Sequence, residues 1–210
     1  MYSLAKLPIN LKDIQNLLIV AVTLTFFLGI TNFAAETEDI ANNVLRLHVL
    51  ANSDSEEDQA LKLKVRDAIL ESGQETFSGA ANAKEAEARI VADSDKLLAT
   101  AEAVIQEEGY DYDVALEVTD DSFPTRTYGN ITLPAGEYRA VRLVIGEGEG
   151  KNWWCVMFPA LCLPGASETS LDAVLSDDEI ELVESDPKVD VRFKIAEVFE
   201  GLRSKAKDIF

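Results

Sequence analysis

Asn-Val-Leu-Arg-Leu-His-Val-Leu-Ala, residues 43–51, is the stretch of sequence that decides the fold class. Its apolar residues lie on one side of an extended chain and its polar residues on the other: Leu45, Leu47 and Val49 against Arg46 and His48. A period of two over this length predicts a β-strand with one face packed on a core. For the polar face we expect either ordinary solvation or a patch that docks a partner.

The residues after this strand predict a turn and then two helices. The segment 52–55, Asn-Ser-Asp-Ser, has short side chains that bond to nearby amides, so it favours a turn and a helix N-cap. We predict that the first helix runs to about Glu71 and is ended by Gly73. A second, alanine-rich helix is predicted at about 82–108, with Gly109 as its C-terminal stop.

Beyond Gly109 the pattern returns to a period of two, which predicts strands at about 114–118, 123–132 and 137–146. We expect the following elements after them: a mobile acidic loop at 146–150, the segment Asn152–Leu163, short helices at about 168–175 and 177–184, and a terminal helix at about 190–207. Together these elements predict an α+β domain, in which helices pack on an antiparallel sheet of about four strands.

Composition limits the partners and the chemistry. The 210 residues include 19 basic and 38 acidic ones, which gives a net charge of −19. We expect no nucleic-acid binding, since a grip on phosphates needs clustered Lys and Arg. His48 is the only histidine, so a metal site with two imidazoles is excluded. Because no phosphate-binding glycine motif is present either, we expect no metal, no cofactor and no small-molecule substrate.

Residues 1–35 predict an export element. No charged residue occurs between Ile14 and Ala35, two lysines precede this run, and acidic residues follow it. This arrangement keeps the N-terminus inside and sends the rest of the chain across the membrane. Because a bilayer span takes about 20 residues, the run is either a cleaved signal peptide or an uncleaved transmembrane anchor. Residues 36–210 then form a single extracytoplasmic domain.

Two parts of the sequence carry a resemblance to a known family. The first is Arg46–Asp54 (RLHVLANSD) running into Gln59–Asp67 (QALKLKVRD), and the second is Asn152–Cys162 (NWWCVMFPALC). Both resemble the signature segments of the stage II sporulation protein R family, in the expected order behind an export segment. Val191–Glu197 (VRFKIAE) extends the resemblance, which covers most of Val44–Leu202.

The resemblance implies a signalling function. Members of this family are made in the forespore and exported into the space between the two sporulating compartments. There they activate a membrane-bound aspartic protease of the mother cell, which removes the pro-segment from the sigma-E precursor. The resemblance therefore implies a ligand of the protease and not an enzyme. Ala160 stands where a second proline is expected, which leaves partner specificity open.

Cys155 and Cys162 are the only cysteines of the chain. An even number of cysteines in an exported domain permits a disulfide, and Pro159 between them favours a turn that brings the sulfurs together. Two buried thiols, or one catalytic thiol, are the alternatives. A catalytic cysteine needs a basic neighbour that stabilises its thiolate, and His48 is the only imidazole available.

The candidate partner-binding residues are Arg46, His48, Asn52, Asp54, Trp153 and Trp154. The first four lie on the polar strand face and just beyond its end, where they could form a polar pocket or a docking patch. Adjacent tryptophans in an extended segment point to opposite sides, so we expect one to pack inward and the other to face solvent or a partner. The alternatives are a solvated face with a helix cap, and core packing of both tryptophans.

Two other functions fit an exported chain. One is a cell-wall hydrolase that uses Cys155 or carboxylates with His48, and its thiol version requires a free Cys155 near His48. The other is a membrane-tethered scaffold whose N-terminal segment is never cleaved. The acidic pairs at 120–121 and 177–178 lack the ligand spacing of a calcium loop, and turns or helix starts explain them.

Overall fold

A computed structural model describes residues 10–77, 79–161 and 174–184 of the protein. By its internal contacts the chain divides into two units, residues 1–37 and 38–210. Helix α1 (Leu11–Asn43) begins in the first unit, where large apolar side chains such as Leu17, Val20 and Leu24 are exposed. Among the helices in the described ranges, none is both long and apolar enough to cross a membrane. The export or anchoring role of residues 1–35 stays a prediction.

The second unit combines one main sheet with helices, which confirms the predicted α+β class. After α1 its elements are β1 (Leu45–Leu50), α2 (Glu56–Phe77), α3 (Ala83–Ala92), α4 (Ser94–Glu107), β2 (Val114–Phe123), β3 (Arg126–Tyr128), β4 (Ile131–Leu133), β5 (Gly136–Ile145), β6 (Asn152–Phe158) and α5 (Asp177–Val183). The Phe158–Pro159 peptide bond after β6 is cis.

The main sheet has four strands in the order β2-β5-β1-β6, so β1 is central. The pairs β1–β6 and β2–β5 are antiparallel, as predicted for the sheet, whereas β1 and β5 are parallel. The parallel pair corrects the prediction of a purely antiparallel sheet. It arises because the chain leaves β1 through three helices and the strands β2, β3 and β4 before β5 returns beside β1 in the same direction. Strands β3 and β4 form a separate two-stranded sheet.

The hydrophobic core lies between the main sheet and helices α2, α3 and α4. Leu45, Leu47 and Val49 of β1 are fully buried in it, together with Val65 and Ile90 from the helices. Burying side chains of this size contributes roughly 1.5–3 kcal/mol each relative to leaving them exposed. The apolar half of the alternating strand therefore makes the contacts that its sequence predicts.

Two helix boundaries differ from the prediction. Helix α2 continues through Gly73 to Phe77, because its packing on α3 and α4 outweighs the roughly 1 kcal/mol that a glycine costs inside a helix. The single helix predicted at 82–108 is two helices, which meet at Asp93. Asp93 leaves the helical conformation (φ −99°, ψ 10°), and its carboxylate accepts a hydrogen bond from Thr76 of α2 at 2.7 Å.

The strand predicted at 123–132 is wrong, because this segment contains the last residue of β2 and most of the β3–β4 hairpin. The hairpin turns at Gly129, whose φ of +65° suits a two-residue turn with glycine in first place. Strand β1 and helix α5 agree with their predictions. The helices predicted at 168–175 and 190–207 lie mostly or wholly outside the described residues.

Candidate functional site

The polar face of β1 is buried, so the prediction of an ordinary solvated face is wrong. Arg46 has no exposed surface and His48 is 6% exposed. The far end of the β2–β5 ribbon and the β3–β4 hairpin cover this face, since Phe123 and Tyr128 contact the Arg46 guanidinium. We call Arg46, His48 and the groups that contact them the Arg46 cluster: Phe123, Tyr128, Tyr138, Asp121, Asn152 and Trp154.

Three aromatic rings surround the guanidinium of Arg46. Its central carbon lies 4.2 Å from the centre of the Phe123 ring, 4.8 Å from that of Tyr138 and 5.6 Å from that of Tyr128. Each such contact attracts the cation to the electron-rich face of a ring. Burial lowers the pKa of Arg46, and the interactions with Tyr128 and Tyr138 act in the opposite direction.

Two hydrogen bonds let Arg46 join three strands. Its Nε donates to the backbone carbonyl of Cys155 in β6 at 2.9 Å, and its Nη2 donates to the Tyr128 hydroxyl in β3 at 2.8 Å. The Tyr128 hydroxyl then donates to the carbonyl of Trp154 at 3.1 Å. Arg46 therefore fastens the β3–β4 hairpin to the main sheet.

No carboxylate forms a salt bridge with Arg46 in the described part of the chain. Its Nη1 is buried and has no hydrogen-bond partner among these residues. Buried charges are ordinarily paired, because taking a charge out of water is costly. In a chain with twice as many acids as bases, an arginine held by rings and two neutral acceptors is unusual.

Both ring nitrogens of His48 are occupied. Nδ1 lies 2.5 Å from Asp121 Oδ2, and Nε2 lies 2.6 Å from Asn152 Oδ1. The ring stacks on Trp154, with centres 5.8 Å apart, and meets the edge of Phe123 at 6.0 Å. A histidine that moves protons in catalysis needs a nitrogen within reach of the substrate. This arrangement holds the imidazole in place instead.

Cys155 cannot supply a thiol to His48. In the pairing of β1 with β6, Leu47 lies opposite Cys155 and His48 opposite Trp154, so Cys155 is on the helix-covered face. Cys155 is also disulfide-bonded. These two facts contradict the thiol version of a hydrolase. Cys162 lies outside the described residues, and its pairing with Cys155 stays a prediction.

The two tryptophans point to opposite faces of β6, as predicted. Trp154 lies beside His48, and the guanidinium of Arg126 covers its ring at 4.4 Å. Trp153 lies on the helix side, 37% exposed, with the guanidinium of Arg66 from α2 at 4.3 Å. Trp154 therefore belongs to the Arg46 cluster, and Trp153 is the tryptophan with more surface available to a partner.

Asn52 and Asp54 lie outside the Arg46 cluster and fasten the 146–151 loop. Asn52 Oδ1 accepts from the backbone N–H of Glu147 at 3.0 Å, and Asp54 Oδ1 accepts from that of Lys151 at 2.7 Å. A Cβ at Gly150 would lie 2.2 Å from the carbonyl oxygen of Ser53, so only glycine fits this approach. The loop is docked on the end of β1, which corrects the prediction of a mobile loop.

Asp58 organises the other side of this turn. Its Oδ2 accepts hydrogen bonds from Ser53 Oγ at 2.6 Å and from Asn52 Nδ2 at 2.9 Å. Its N–H bonds to Ser55 Oγ at 3.1 Å, which confirms the predicted N-cap. Burial acts to raise the pKa of Asp58, but the hydrogen bonds from Ser53 and Asn52 lower it below its ordinary value.

Sequence reasoning missed most partners of Arg46 and His48. Phe123, Tyr128 and Tyr138 are distant in sequence and look like ordinary strand residues, so no local signal marks them. Asp121 was explained as a turn residue, although it lies within β2. Asn152 was quoted within a signature segment, and its position opposite the end of β1 is visible only once the strands pair.

The fold and the cluster together define an α+β domain in which the buried polar face of β1 joins the β3–β4 hairpin to the main sheet. The described residues contain no group of three or more His, Cys, Asp or Glu that could hold a metal ion.

The comparisons with known proteins identify the family. Residues 41–168 match the family model of stage II sporulation protein R, and the chain belongs to this family. Stage II sporulation protein R of Bacillus subtilis (strain 168) is 39% identical over 123 residues, which is 59% of this chain and 55% of that relative. The matched part thus spans about half the length of the relative. No solved structure matches the chain. Family membership supports a role in sporulation.

Proposed function

We propose that this protein is an exported signal of endospore formation. It is made in the forespore and acts in the intermembrane space, where it activates a membrane-bound aspartic protease of the mother cell. The protease then carries out the proteolytic maturation of the sigma-E precursor. The observation that carries this proposal is the family match over residues 41–168, which includes both signature segments.

The geometry of the signature segments supports a binding function. The first segment supplies β1 and the second supplies β6, and the two strands pair side by side, with β1 inside the main sheet and β6 at its edge. With both His48 nitrogens occupied and Cys155 in a disulfide, these two residues offer neither a free imidazole nor a thiol. The peptide-bond chemistry in this proposal belongs to the protease.

Activation by a ligand needs a difference in affinity. A protease with an active and an inactive state shifts toward the state that its ligand binds more tightly. In this proposal Trp153 is the first contact candidate, because its ring is 37% exposed and Arg66 holds it in one orientation. Interface hot spots are enriched in Trp and Arg.

Reconstitution in a non-sporulating host tests the proposal. The protease and the sigma-E precursor are co-expressed with and without this protein, and precursor size is followed by blotting. We expect processing only when the full-length protein is present with its N-terminal segment. If all three proteins accumulate and the precursor stays intact, the activator function is wrong.

N-terminal sequencing of the protein recovered from outside the membrane tests the localisation. A new N-terminus near residues 34–36 indicates a diffusible signal released by cleavage. An intact Met1 indicates an anchored protein. Recovery of the protein only from the cytoplasm contradicts export.

A further inference from the structure

Strand β2 is one outer edge of the main sheet. It is ten residues long, from Val114 to Phe123, and among the described residues it pairs with β5 alone. The register runs without a break from Val114 opposite Ile145 to Phe123 opposite Gly136. An edge of this kind presents a row of backbone groups that can pair with another chain.

One hydrogen bond shows which residues of β2 direct their backbone groups outward. The N–H of Gly146 donates to the carbonyl of Asp113 at 2.8 Å, one step before the pair Val114–Ile145. In an antiparallel ladder the residues bonded to the partner strand alternate with residues that face away. The outward residues are therefore Val114, Leu116, Val118, Asp120 and Ser122.

Local side chains engage only one end of this edge. The N–H of Ser122 donates to Asp121 Oδ1 at 2.9 Å, and the Thr119 hydroxyl lies 3.5 Å from the carbonyl of Asp120. The outward groups of Val114, Leu116 and Val118 have no partner in the described part of the chain. Ala115 and Glu117, between them, are exposed.

The usual protections of an edge strand are missing from β2. Proteins guard such edges with prolines, bulges, short strands or lysines. Strand β2 contains no proline and no lysine, its register has no bulge, and its length exceeds the usual five or six residues. Within the described ranges, the only protection of this edge is negative charge.

Charge identifies the occupant that this edge fits. Residues 107–121 contain seven acidic residues and no basic one. Glu117 and Asp120 meet Arg142 and Arg139 only loosely, at 3.3 Å and 3.5 Å, and both carboxylates remain more than half exposed. A second copy of the chain would bring like charges opposite each other and has a net charge of −19 itself, which disfavours self-pairing.

We propose that the outer edge of β2 binds an extended, basic segment of a partner protein by strand addition. The partner's backbone pairs with the outward groups of Val114, Leu116 and Val118 and with the outward N–H of Asp120, which gives affinity for any extended chain. Lysines or arginines at alternate positions of the partner then meet the face that carries Glu117. This binding site does not depend on which protein the partner is.

Binding of short peptides to the full-length protein tests the proposal. The probe is a fluorescent nine-residue peptide that alternates lysine and valine, and the control peptide alternates glutamate and valine. Binding is measured by fluorescence anisotropy at two salt concentrations. We expect the basic peptide to bind and to retain measurable affinity at the higher salt, and we expect the acidic peptide not to bind. Failure of the basic peptide to bind overturns the proposal.

A matched pair of variants separates strand addition from simple charge attraction. Asp120→Pro removes an N–H that faces away from β5, so the native ladder keeps its bonds, whereas Asp120→Ala removes the same carboxylate and keeps the N–H. We expect Asp120→Pro to bind the basic peptide at least about fivefold more weakly than Asp120→Ala. Equal affinities would show attraction by charge only and overturn strand addition.

A third variant covers the case in which Asp120→Pro fails to fold, as judged by circular dichroism. Glu117→Lys leaves the backbone unchanged and reverses an exposed charge on the proposed contact face. We expect this variant to bind the basic peptide more weakly and the acidic peptide more tightly, each by about threefold or more. No change for either peptide would place the binding elsewhere and overturn the proposal.

Discussion

The two faces of β1 are both buried, but different forces hold them. On one face Leu45, Leu47 and Val49 pack under helices, where burial of apolar surface stabilises the fold. On the other face Arg46 and His48 are held by rings, hydrogen bonds and one carboxylate. The difference teaches that alternation of apolar and polar residues shows which face a residue lies on. It does not show whether that face meets water.

The largest expected effect is on the apolar face. Leu47→Ala removes a fully buried side chain at the centre of the core and leaves a cavity, so we expect a loss of about 2–5 kcal/mol in the free energy of unfolding. Chemical denaturation followed by tryptophan fluorescence measures this loss. Val91→Ala is the control, because Val91 is 53% exposed, and we expect it to change stability by less than about 0.5 kcal/mol. A similar loss in both variants would contradict the location of the core.

Tyr128→Phe tests the hydrogen bonds of the polar face. It keeps the ring beside Arg46 but removes the hydroxyl that joins Arg46 Nη2 to the carbonyl of Trp154. Since both groups then lose a partner, we expect a loss of about 1–3 kcal/mol in the same denaturation assay. Tyr110→Phe is the matched control, because no hydrogen bond of the Tyr110 hydroxyl occurs among the described residues. If the two variants are equally stable, the Tyr128 bridge does not fasten the hairpin.

Asp58→Asn tests the hydrogen bonds in the turn that follows the end of β1. At neutral pH we expect a loss of about 1 kcal/mol in the free energy of unfolding, because the carboxylate that accepts hydrogen bonds from Ser53 and Asn52 becomes an amide. The pKa of Asp58 is lowered in the folded state, so its contribution is present above the ordinary carboxyl pKa of about 4. This contribution to stability is lost as the pH falls through the lowered pKa of Asp58 in the folded state.

The difference between wild type and Asp58→Asn should therefore shrink between pH 6 and pH 3. Urea denaturation at several pH values measures the change. Asp95→Asn serves as the comparison, since Asp95 is an exposed acid in the first turn of another helix. A difference that stays constant down to pH 3 would contradict the lowered pKa of Asp58.

The smallest effect on stability is expected from Arg46→Met. Arg46→Met loses two hydrogen bonds but also removes the cost of burying a charge that has no carboxylate partner among the described residues. Because these two effects oppose each other, we expect a change of less than about 1 kcal/mol in either direction. In the co-expression assay we nevertheless expect weaker processing of the sigma-E precursor, because the variant loses the bond to the hairpin. A fully active Arg46→Met protein would show that the polar face has no part in activation.

Local sequence signals predicted the parts of the fold that depend on neighbouring residues. The period of two at 43–51 predicted β1, and Asn82 caps α3 by accepting a hydrogen bond from Glu85 N–H. Gly109 stops α4 with a φ of +85°. In each case the structure depends on side chains within a few positions of one another, so the signal is present in one short segment.

Contacts between distant segments were not predictable in this way. The parallel pairing places Arg46 opposite Ala140, and nothing within either strand indicates that choice. The burial of Arg46 depends on rings from β2, β3 and β5, whose sequences resemble those of ordinary strands. The helix break at Asp93 likewise depends on Thr76 of another helix.

The central position of β1 has a consequence for the order of events in folding. In the described part of the domain, β1 completes its ladder with β5 and β6, which are the last of the described strands to leave the ribosome or a membrane channel. Pairing across so much chain is slow, because loop-closure entropy opposes it until both partners are present. For the export that we propose, the chain therefore stays unfolded while it crosses the membrane. The domain acquires its binding surfaces only after β6 has crossed.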